Sequence, residues 1–224
     1  MRFITAFGRN RIERQKYCLQ SWRKHATEIV AVQTAEDIEL LSPHFPGVRF
    51  VETDLTGAEL YGLSNRVRIK ALVDQGPGLL INSDIKVASS VAEFKEDWMF
   101  IPKTFSVGVR YDFDGPGQPK KMNKYGIDAF LISEDVMRLL PDIGFVIGVS
   151  VWDYWIVWHM MTEGFSTRAK ITPGLLHLKH SVNWSAKDTS IGLGLMAEKY
   201  GIKEPKMLLD MVIPILTGRS KTQV

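Results

Sequence analysis

A short polar segment interrupts an apolar run in the middle of the chain. Leu79 to Ile81 is apolar, Asn82, Ser83 and Asp84 are polar, and Ile85 resumes the apolar pattern. A buried strand that ends in this way carries a carboxylate to the edge of a sheet, where α/β proteins place their chemistry. Asn, Ser and Asp also form turns, so a plain strand-to-turn transition is the alternative interpretation.

Arg66 and Lys70 are two cations spaced by one helical turn. Ser64 is suited to cap a helix over 65–75, which the Gly-Pro-Gly sequence of 76–78 would end. On such a helix the two cations share a face, at a cost of a few tenths of a kcal/mol unless an anion binds there. Lys70 could instead pair with Asp74 at the surface, which the spacing equally allows.

Asp153 lies near the start of a predicted helix over 151–163 that Ser150 could cap. The helix dipole stabilises an ionised carboxylate in this position, and Trp152 and Tyr154 flank it with rings that could stack on a sugar. An aspartate in a first helical turn is as often purely structural, and bulky aromatic residues are typical of a packed core.

His177 and His180 belong to a strand-like segment near the C-terminal end. Two histidines three residues apart are a weak zinc signal here, because the chain has one cysteine and no second ligand pair accompanies them. A carboxylate, an imidazole and phosphate oxygens together would suit Mn²⁺, with Mg²⁺ second.

Apolar periodicity predicts the elements that must position these residues. Strands are expected at 3–7, 28–33, 48–52, 79–81, 99–102, 106–111 and 127–133. Helices are expected at 11–26, 34–41, 65–75, 89–98, 134–140 and 151–163. Segments 54–63 and 112–121 read as loops, the second either a lid or an ordinary surface loop. Alternating strands and helices predict one α/β domain over 1–217 with a mainly parallel sheet, followed by a frayed tail over 218–224.

The composition is that of an ordinary globular protein, with 45% hydrophobic and 24% charged residues. A net charge of +3 favours an anionic ligand without marking a nucleic-acid surface. The single Cys18 cannot form an internal disulfide, and the apolar run 3–7 is too short for a signal-peptide core. The apolar segment 145–161 is interrupted by Asp153 and His159. We therefore expect a cytoplasmic protein without a transmembrane segment.

Taken in order, these features resemble the GT-A nucleotide-sugar glycosyltransferases over roughly residues 2–185. The segment 82–84 resembles their Asp-x-Asp motif, although Asn82 replaces the first aspartate. The helix that contains Arg14 and the segment 18–22 resembles their first helix. The resemblance implies a Rossmann-like GT-A domain with a mixed, mainly parallel sheet flanked by helices.

The resemblance also implies roles for the residues above. Asp84 and His177 would bind Mn²⁺ or Mg²⁺, and Asp153 would take the proton from an acceptor hydroxyl. Acceptor contacts are expected from Trp152, Tyr154 and His180. The nucleotide-sugar donor would contact Thr5, Phe7, Arg9, Arg66, Lys70, Asn82, Ser83 and Asp84.

The sequence therefore predicts a divalent-metal-dependent glycosyltransferase that moves a sugar from a nucleoside diphosphate to an acceptor hydroxyl. Two alternatives stay open: a nucleotidyltransferase acting on a sugar phosphate, and an inactive nucleotide-sugar binding protein, which Asn82 makes credible. The acceptor could be a glycan, a lipid-linked chain, a protein or modified DNA, and the oligomeric state is left open. No Walker A loop, Gly-x-Gly-x-x-Gly, nucleophile elbow or His-Glu-x-x-His is present.

Overall fold

Nine of the described strands form one sheet, and two more form a small hairpin-like pair. The computed structural model describes residues 1–113, 120–170, 174–180, 185–202 and 204–216. The strands are β1 (Arg2–Thr5), β2 (Glu28–Gln33), β3 (Arg49–Glu52), β4 (Thr56–Gly57), β5 (Leu63–Val67), β6 (Gly78–Ile81), β7 (Ile85–Val87), β8 (Thr104–Phe113), β9 (Lys121–Ile132), β10 (Ser166–Lys170) and β11 (Leu175–Leu178). The helices are α1 (Ile12–Trp22), α2 (Ala35–Leu41), α3 (Ala58–Tyr61), α4 (Ile69–Val73), α5 (Val91–Asp97), α6 (Glu134–Leu139), α7 (Trp152–Thr162), α8 (Ala186–Tyr200) and α9 (Pro205–Leu216), with a 3-10 turn at Ser42–His44.

The first half of the sheet is parallel and is built as the sequence predicts. Its order is β3-β2-β1-β6, and β1 pairs in parallel with both β2 and β6. Successive residues of these strands enter opposite cores: Phe3 and Leu79 face α1 and α5, whereas Ile4 and Leu80 face α4 and α7. Helices cover both faces at the centre of this half of the sheet, which is why β6 is apolar throughout and fully buried, whereas the edge strand β3 carries the exposed Arg49 and Glu52.

The second half of the sheet curls around residues 82–84. In sheet order, β6 is followed by β9, β8, β11 and β7, yet only three residues connect β6 to β7. Four strand steps across a flat sheet would cover about 19 Å, whereas the chain from Ile81 to Ile85 spans at most about 15 Å. The sheet must therefore bend, which brings the strands between β6 and β7 around the Asn82–Asp84 connection.

The predicted class is confirmed: the fold is α/β, with a mixed, mainly parallel sheet flanked by helices on both faces. Among the described strands of this sheet, the antiparallel pairs are β9 with β6, β9 with β8, and β7 with β11. None of the described helices has the length and apolar character needed to cross a membrane.

Several predicted elements are wrong. The helix over 65–75 is instead β5 followed by the short helix α4, because Leu63–Val67 pairs with β4 and Val67 O accepts the backbone N–H of Ile147. Residues 99–102 form no strand, and the predicted loop 54–63 contains β4 and α3. The predicted tail 218–224 and residues 114–119 of the predicted 112–121 loop lie outside the described residues.

Candidate active site

A cavity of about 480 Å³ lies beside the residues that follow β1 and β6. Its walls come from segments far apart in sequence, including the 8–11 loop, residues 82–84, β9, β11, the 147–154 segment and α9. The curl of the sheet is what brings β8, β9 and β11 around this space. The predicted residues Arg66, Asn82, Ser83, Asp84, Trp152, Asp153, Tyr154, His177 and His180 all line it.

Three side-chain atoms that could bind a metal ion lie close together on one side of this cavity. Asp84 Oδ2 lies 2.8 Å from His180 Nε2 and 3.4 Å from His177 Nε2, and the two nitrogens are 3.1 Å apart. Neighbouring ligands of an ion with bonds of about 2.1 Å are themselves about 3.0 to 3.4 Å apart. The triangle of Asp84, His177 and His180 therefore has the dimensions of one face of a coordination shell.

The same contacts set the charge of Asp84. Burial alone would raise the pKa of Asp84, but hydrogen bonds with His177 and His180 hold that pKa well below its usual range. Burial likewise disfavours a charged His177, yet the facing Asp84 carboxylate outweighs burial and raises the pKa of His177. Asp84 is therefore an ionised carboxylate across the ordinary pH range.

Arg11 contacts the outer nitrogen of His180. Its Nη1 lies 2.5 Å from His180 Nδ1 and can only donate, so Nδ1 accepts and the hydrogen of a neutral His180 is on Nε2. Arg11 takes a left-handed conformation, with φ 62°, immediately before α1. Binding of a cation by His180 Nε2 requires that hydrogen to leave, and hence requires Arg11 to turn away from Nδ1.

Gln15 fixes the loop from which Arg11 projects. Its side-chain amide donates to the carbonyls of Gly8 and Asn10 and accepts from the backbone N–H of Gly8, each at 2.8 Å. Because Gln15 is buried, this loop has a defined conformation at the mouth of β1.

Asn82 belongs to a buried polar network and does not point at Asp84. Asn82 Nδ2 donates to Asp128 Oδ1 at 2.5 Å, and Arg110 Nη1 donates to Asp128 Oδ2 at 3.1 Å. Arg110 Nε also lies 3.1 Å from Asp112 Oδ1. The sequence interpretation missed Arg110, Asp112 and Asp128. Asp128 did carry a signal, since it is one carboxylate inside the apolar run of β9.

Arg66 lines the cavity without an anionic partner among the described residues. Among the described residues it makes no hydrogen bond or ion pair, and burial lowers its pKa although Asp188 and Asp37 act in the opposite direction. Gly148 makes room for it: a Cβ added at Gly148 would lie 2.8 Å from Arg66 Nη1. Arg66 lies on β5, so the predicted shared helix face with Lys70 is wrong. Lys70 pairs with Asp74 at 2.5 Å and does not line the cavity.

Asp153 lies in the first turn of α7 and faces the same cavity. Burial, reinforced by the nearby Asp128 carboxylate, raises the pKa of Asp153 to about 7, although backbone N–H groups act in the opposite direction. Ser150 does not cap the helix as predicted. The N-cap is Val151, with a φ of 84°, and its aliphatic side chain cannot accept a hydrogen bond from the helix.

The aromatic neighbours of Asp153 divide between core and cavity. Trp152 is almost fully buried and packs on Phe130 with ring centroids 5.0 Å apart, whereas Tyr154 is only partly buried. Both line the cavity, so a bound acceptor could reach Tyr154 more readily than Trp152.

Besides Lys70, three predicted donor contacts lie outside the cavity lining. Thr5 is fully buried at the end of β1, and Phe7 stacks on Phe45 with centroids 3.9 Å apart. Arg9 turns away to Asp37 and Glu36, at 2.5 and 2.8 Å. Strong pairing with these two carboxylates raises the pKa of Arg9, so it offers no free charge to a ligand. Predicted donor binding at these three residues is not supported by their placement.

No family model and no curated protein matches this chain. A solved structure that is similar to it is that of a protein assigned as a glucose-1-phosphate thymidylyltransferase, from Bacillus anthracis, in complex with a sucrose. The two are 11% identical with a TM-score of 0.38, over 75% of this chain and 86% of the other. The activity named there is that of the nucleotidyltransferase alternative and does not match the glycosyltransferase hypothesis. At this identity and TM-score, the similarity does not decide the activity of this chain.

Proposed function

We propose that the cavity binds a nucleoside diphosphate-sugar together with a divalent cation and transfers the sugar to an acceptor hydroxyl. The observation that carries the proposal is a combination of three features in one cavity. These are three converging side chains that could bind a cation, a guanidinium with no anionic partner among the described residues, and a carboxyl group with a pKa of about 7. Each of the three corresponds to one requirement of this reaction.

Arg66 supports the binding of a diphosphate. A partly buried guanidinium without an anion is unfavourable in the free protein, because water is removed and nothing replaces its charge interactions. Phosphate oxygens would supply that missing partner, and the planar guanidinium can bind two of them at once. The neighbouring guanidinium of Arg110 is already neutralised by Asp112 and Asp128. Arg66 is therefore the residue we assign to the donor diphosphate.

Asp84, His177 and His180 would hold the cation. Two imidazoles and one carboxylate fit Mn²⁺ better than Mg²⁺, which prefers an all-oxygen shell. When bound, such an ion neutralises charge that develops on the leaving diphosphate. His180, expected from the sequence to contact the acceptor, is thus reassigned to the cation, whereas Asn82 stays outside the shell because its amide is bonded to Asp128.

Asp153 favours a hydroxyl acceptor over a phosphate acceptor. A hydroxyl must lose its proton as it attacks, and a carboxyl with a pKa of about 7 is matched to accept that proton near neutral pH. A sugar phosphate, the nucleophile of a nucleotidyltransferase, is already ionised at neutral pH and needs no such base. This difference is why we favour glycosyl transfer over nucleotidyl transfer.

The test measures products from both reaction types. The protein is incubated with Mn²⁺ and a panel of nucleoside diphosphate-sugars, with glycans, oligonucleotides or water as acceptors, and release of nucleoside diphosphate is followed. In parallel, nucleoside triphosphates with sugar 1-phosphates are assayed for pyrophosphate. Nucleoside diphosphate release that is lost in Asp153→Asn supports the proposal. Pyrophosphate release would replace it with nucleotidyl transfer, and donor binding without either product would identify an inactive binding protein.

A further inference from the structure

Asp112 lies directly behind His177, on the side away from the cavity ligands. His177 Nδ1 is 3.0 Å from Asp112 Oδ1, while His177 Nε2 faces Asp84 Oδ2 and His180 Nε2. The two residues are brought together by strand pairing, since β11 pairs in parallel with β8 and His177 is opposite Asp112. His177 is therefore held between two carboxylates, one at each ring nitrogen.

The contact with Asp112 determines which nitrogen of His177 is free to bind a cation. An ionised carboxylate can only accept, so the hydrogen of a neutral His177 lies on Nδ1 and the lone pair lies on Nε2. That lone pair is directed into the triangle formed with Asp84 and His180. Without Asp112, the ring could carry its hydrogen on Nε2 instead, where it would bond to Asp84 and block the ligand position.

Asp112 is itself held in place by one hydrogen bond and one ion pair. Asn123 Nδ2 donates to Asp112 Oδ2 at 2.9 Å, and Arg110 Nε lies 3.1 Å from Oδ1. Arg110 is anchored in turn by Asp128. The residue Gly126 leaves space for this arrangement, because a Cβ there would lie 2.6 Å from Arg110 Nε. Asp112 is thus a fixed, charged group and its side chain is mostly buried.

We infer that Asp112 is a positioning residue, which orients His177 and sets its tautomer so that Nε2 can bind a divalent cation. The inference rests on the proposed function, in that the cation belongs to the same site. Carboxylates behind metal-binding histidines commonly change metal affinity by about 10 to 100-fold. Asp112 does not line the cavity, and its contact with the three candidate cation ligands is through His177.

The experiment measures Co²⁺ affinity of the full chain by calorimetry and visible absorbance, in the absence of nucleotide. We expect Asp112→Leu to weaken Co²⁺ binding about 100-fold and Asp112→Asn about 10-fold, since the asparagine oxygen still accepts from Nδ1. Asp97→Asn is the matched control, because Asp97 is a similarly buried carboxylate paired with Lys170 at 2.7 Å, outside the cavity.

Nitrogen NMR of the His177 ring provides a second readout that does not depend on the metal. At pH 8.5 without Co²⁺, the wild type should carry its hydrogen on Nδ1, and Asp112→Leu should shift the population toward Nε2. The inference would be overturned if both Asp112 variants bound Co²⁺ within twofold of the wild-type affinity. It would also be overturned if the hydrogen of His177 in the wild type were on Nε2. A third outcome separates the two proposals. If the wild type binds no Co²⁺, but its His177 hydrogen is on Nδ1 and moves toward Nε2 in Asp112→Leu, cation binding in the proposed function is refuted while the orientation of His177 by Asp112 is supported.

Discussion

Replacing Asp153 by asparagine should remove a specific pH dependence of stability. The pKa of Asp153 is raised from its ordinary value of 3.8 to about 7 in the folded protein. A carboxyl group whose pKa is raised by folding makes its full contribution to stability below pH about 4. That contribution is lost as pH rises through about 7, because the carboxyl group ionises more easily in the unfolded chain. The difference between the two pKa values corresponds to at most about 4 kcal/mol, and partial contact with water reduces this figure.

Urea denaturation of the wild type and Asp153→Asn, at intervals from pH 4.5 to 8.5, measures the effect. All other titrating groups are shared, so the difference in unfolding free energy between the two proteins isolates Asp153. We expect the unfolding free energy of the variant, relative to that of the wild type, to increase with pH, by about 2 to 4 kcal/mol above pH 7.5. The wild type should lose stability and gain transferase activity over the same interval, because only the ionised carboxylate can accept a proton.

Asp97→Asn, which changes a carboxylate paired with Lys170, provides the control for loss of one negative charge. A stability difference for Asp153→Asn that is flat between pH 5 and 8 would show that the carboxyl titrates as an ordinary surface group. Activity that survives in the variant within a few-fold would remove Asp153 as the base, whatever its pKa.

The remaining predictions concern the diphosphate and the cation. Arg66→Gln should weaken nucleoside diphosphate binding about 10 to 100-fold by calorimetry, corresponding to the loss of one charged hydrogen-bonding group, whereas Lys70→Gln should change it less than twofold; equal effects would refute the assignment. Gly148→Ala should also weaken binding, because its Cβ would lie 2.8 Å from Arg66 Nη1, and Gly62→Ala, at a similar positive φ with open space around it, controls for backbone strain. EDTA should suppress nucleotide binding by the wild type and leave that of Asp84→Asn unchanged; undiminished wild-type binding would exclude a cation from the donor site.

The parallel half of the fold was accessible from the sequence because its signals are local. Strand residues such as Phe3 and Ile4, or Leu79 to Ile81, are apolar on both faces, and the helices between the strands carry recognisable starts. β5 was missed because Ser64, Asn65 and Arg66 carry no strand pattern of their own. Their conformation is set by pairing with β4 and by the contact of Val67 with Ile147.

Part of the site was predictable because some residues suggest a role by their chemistry and by their place in a predicted strand or helix. Asp84, His177 and Asp153 are such residues. The structure brings these three to one cavity, although their roles stay predictions. The surrounding network depends on strand register instead. Asp112 meets His177 only because β11 pairs with β8 at that position, 65 residues away in sequence. No pattern within either segment specifies that register.

The position of β11 in the sheet also has a consequence for folding. Among the described strands, β7 pairs with β11 alone, so the Ile85–Val87 segment has no strand partner until residues 175–178 have been synthesised and have docked. A helix-side contact, from Trp22 Nε1 to Ile85 O at 2.7 Å, is available much earlier. During synthesis, the β7 edge next to Asp84 would therefore stay unpaired. Fragments that end before β11 should aggregate through this edge. The cavity can form only at the end of folding, which makes ligand binding a stringent report of complete assembly.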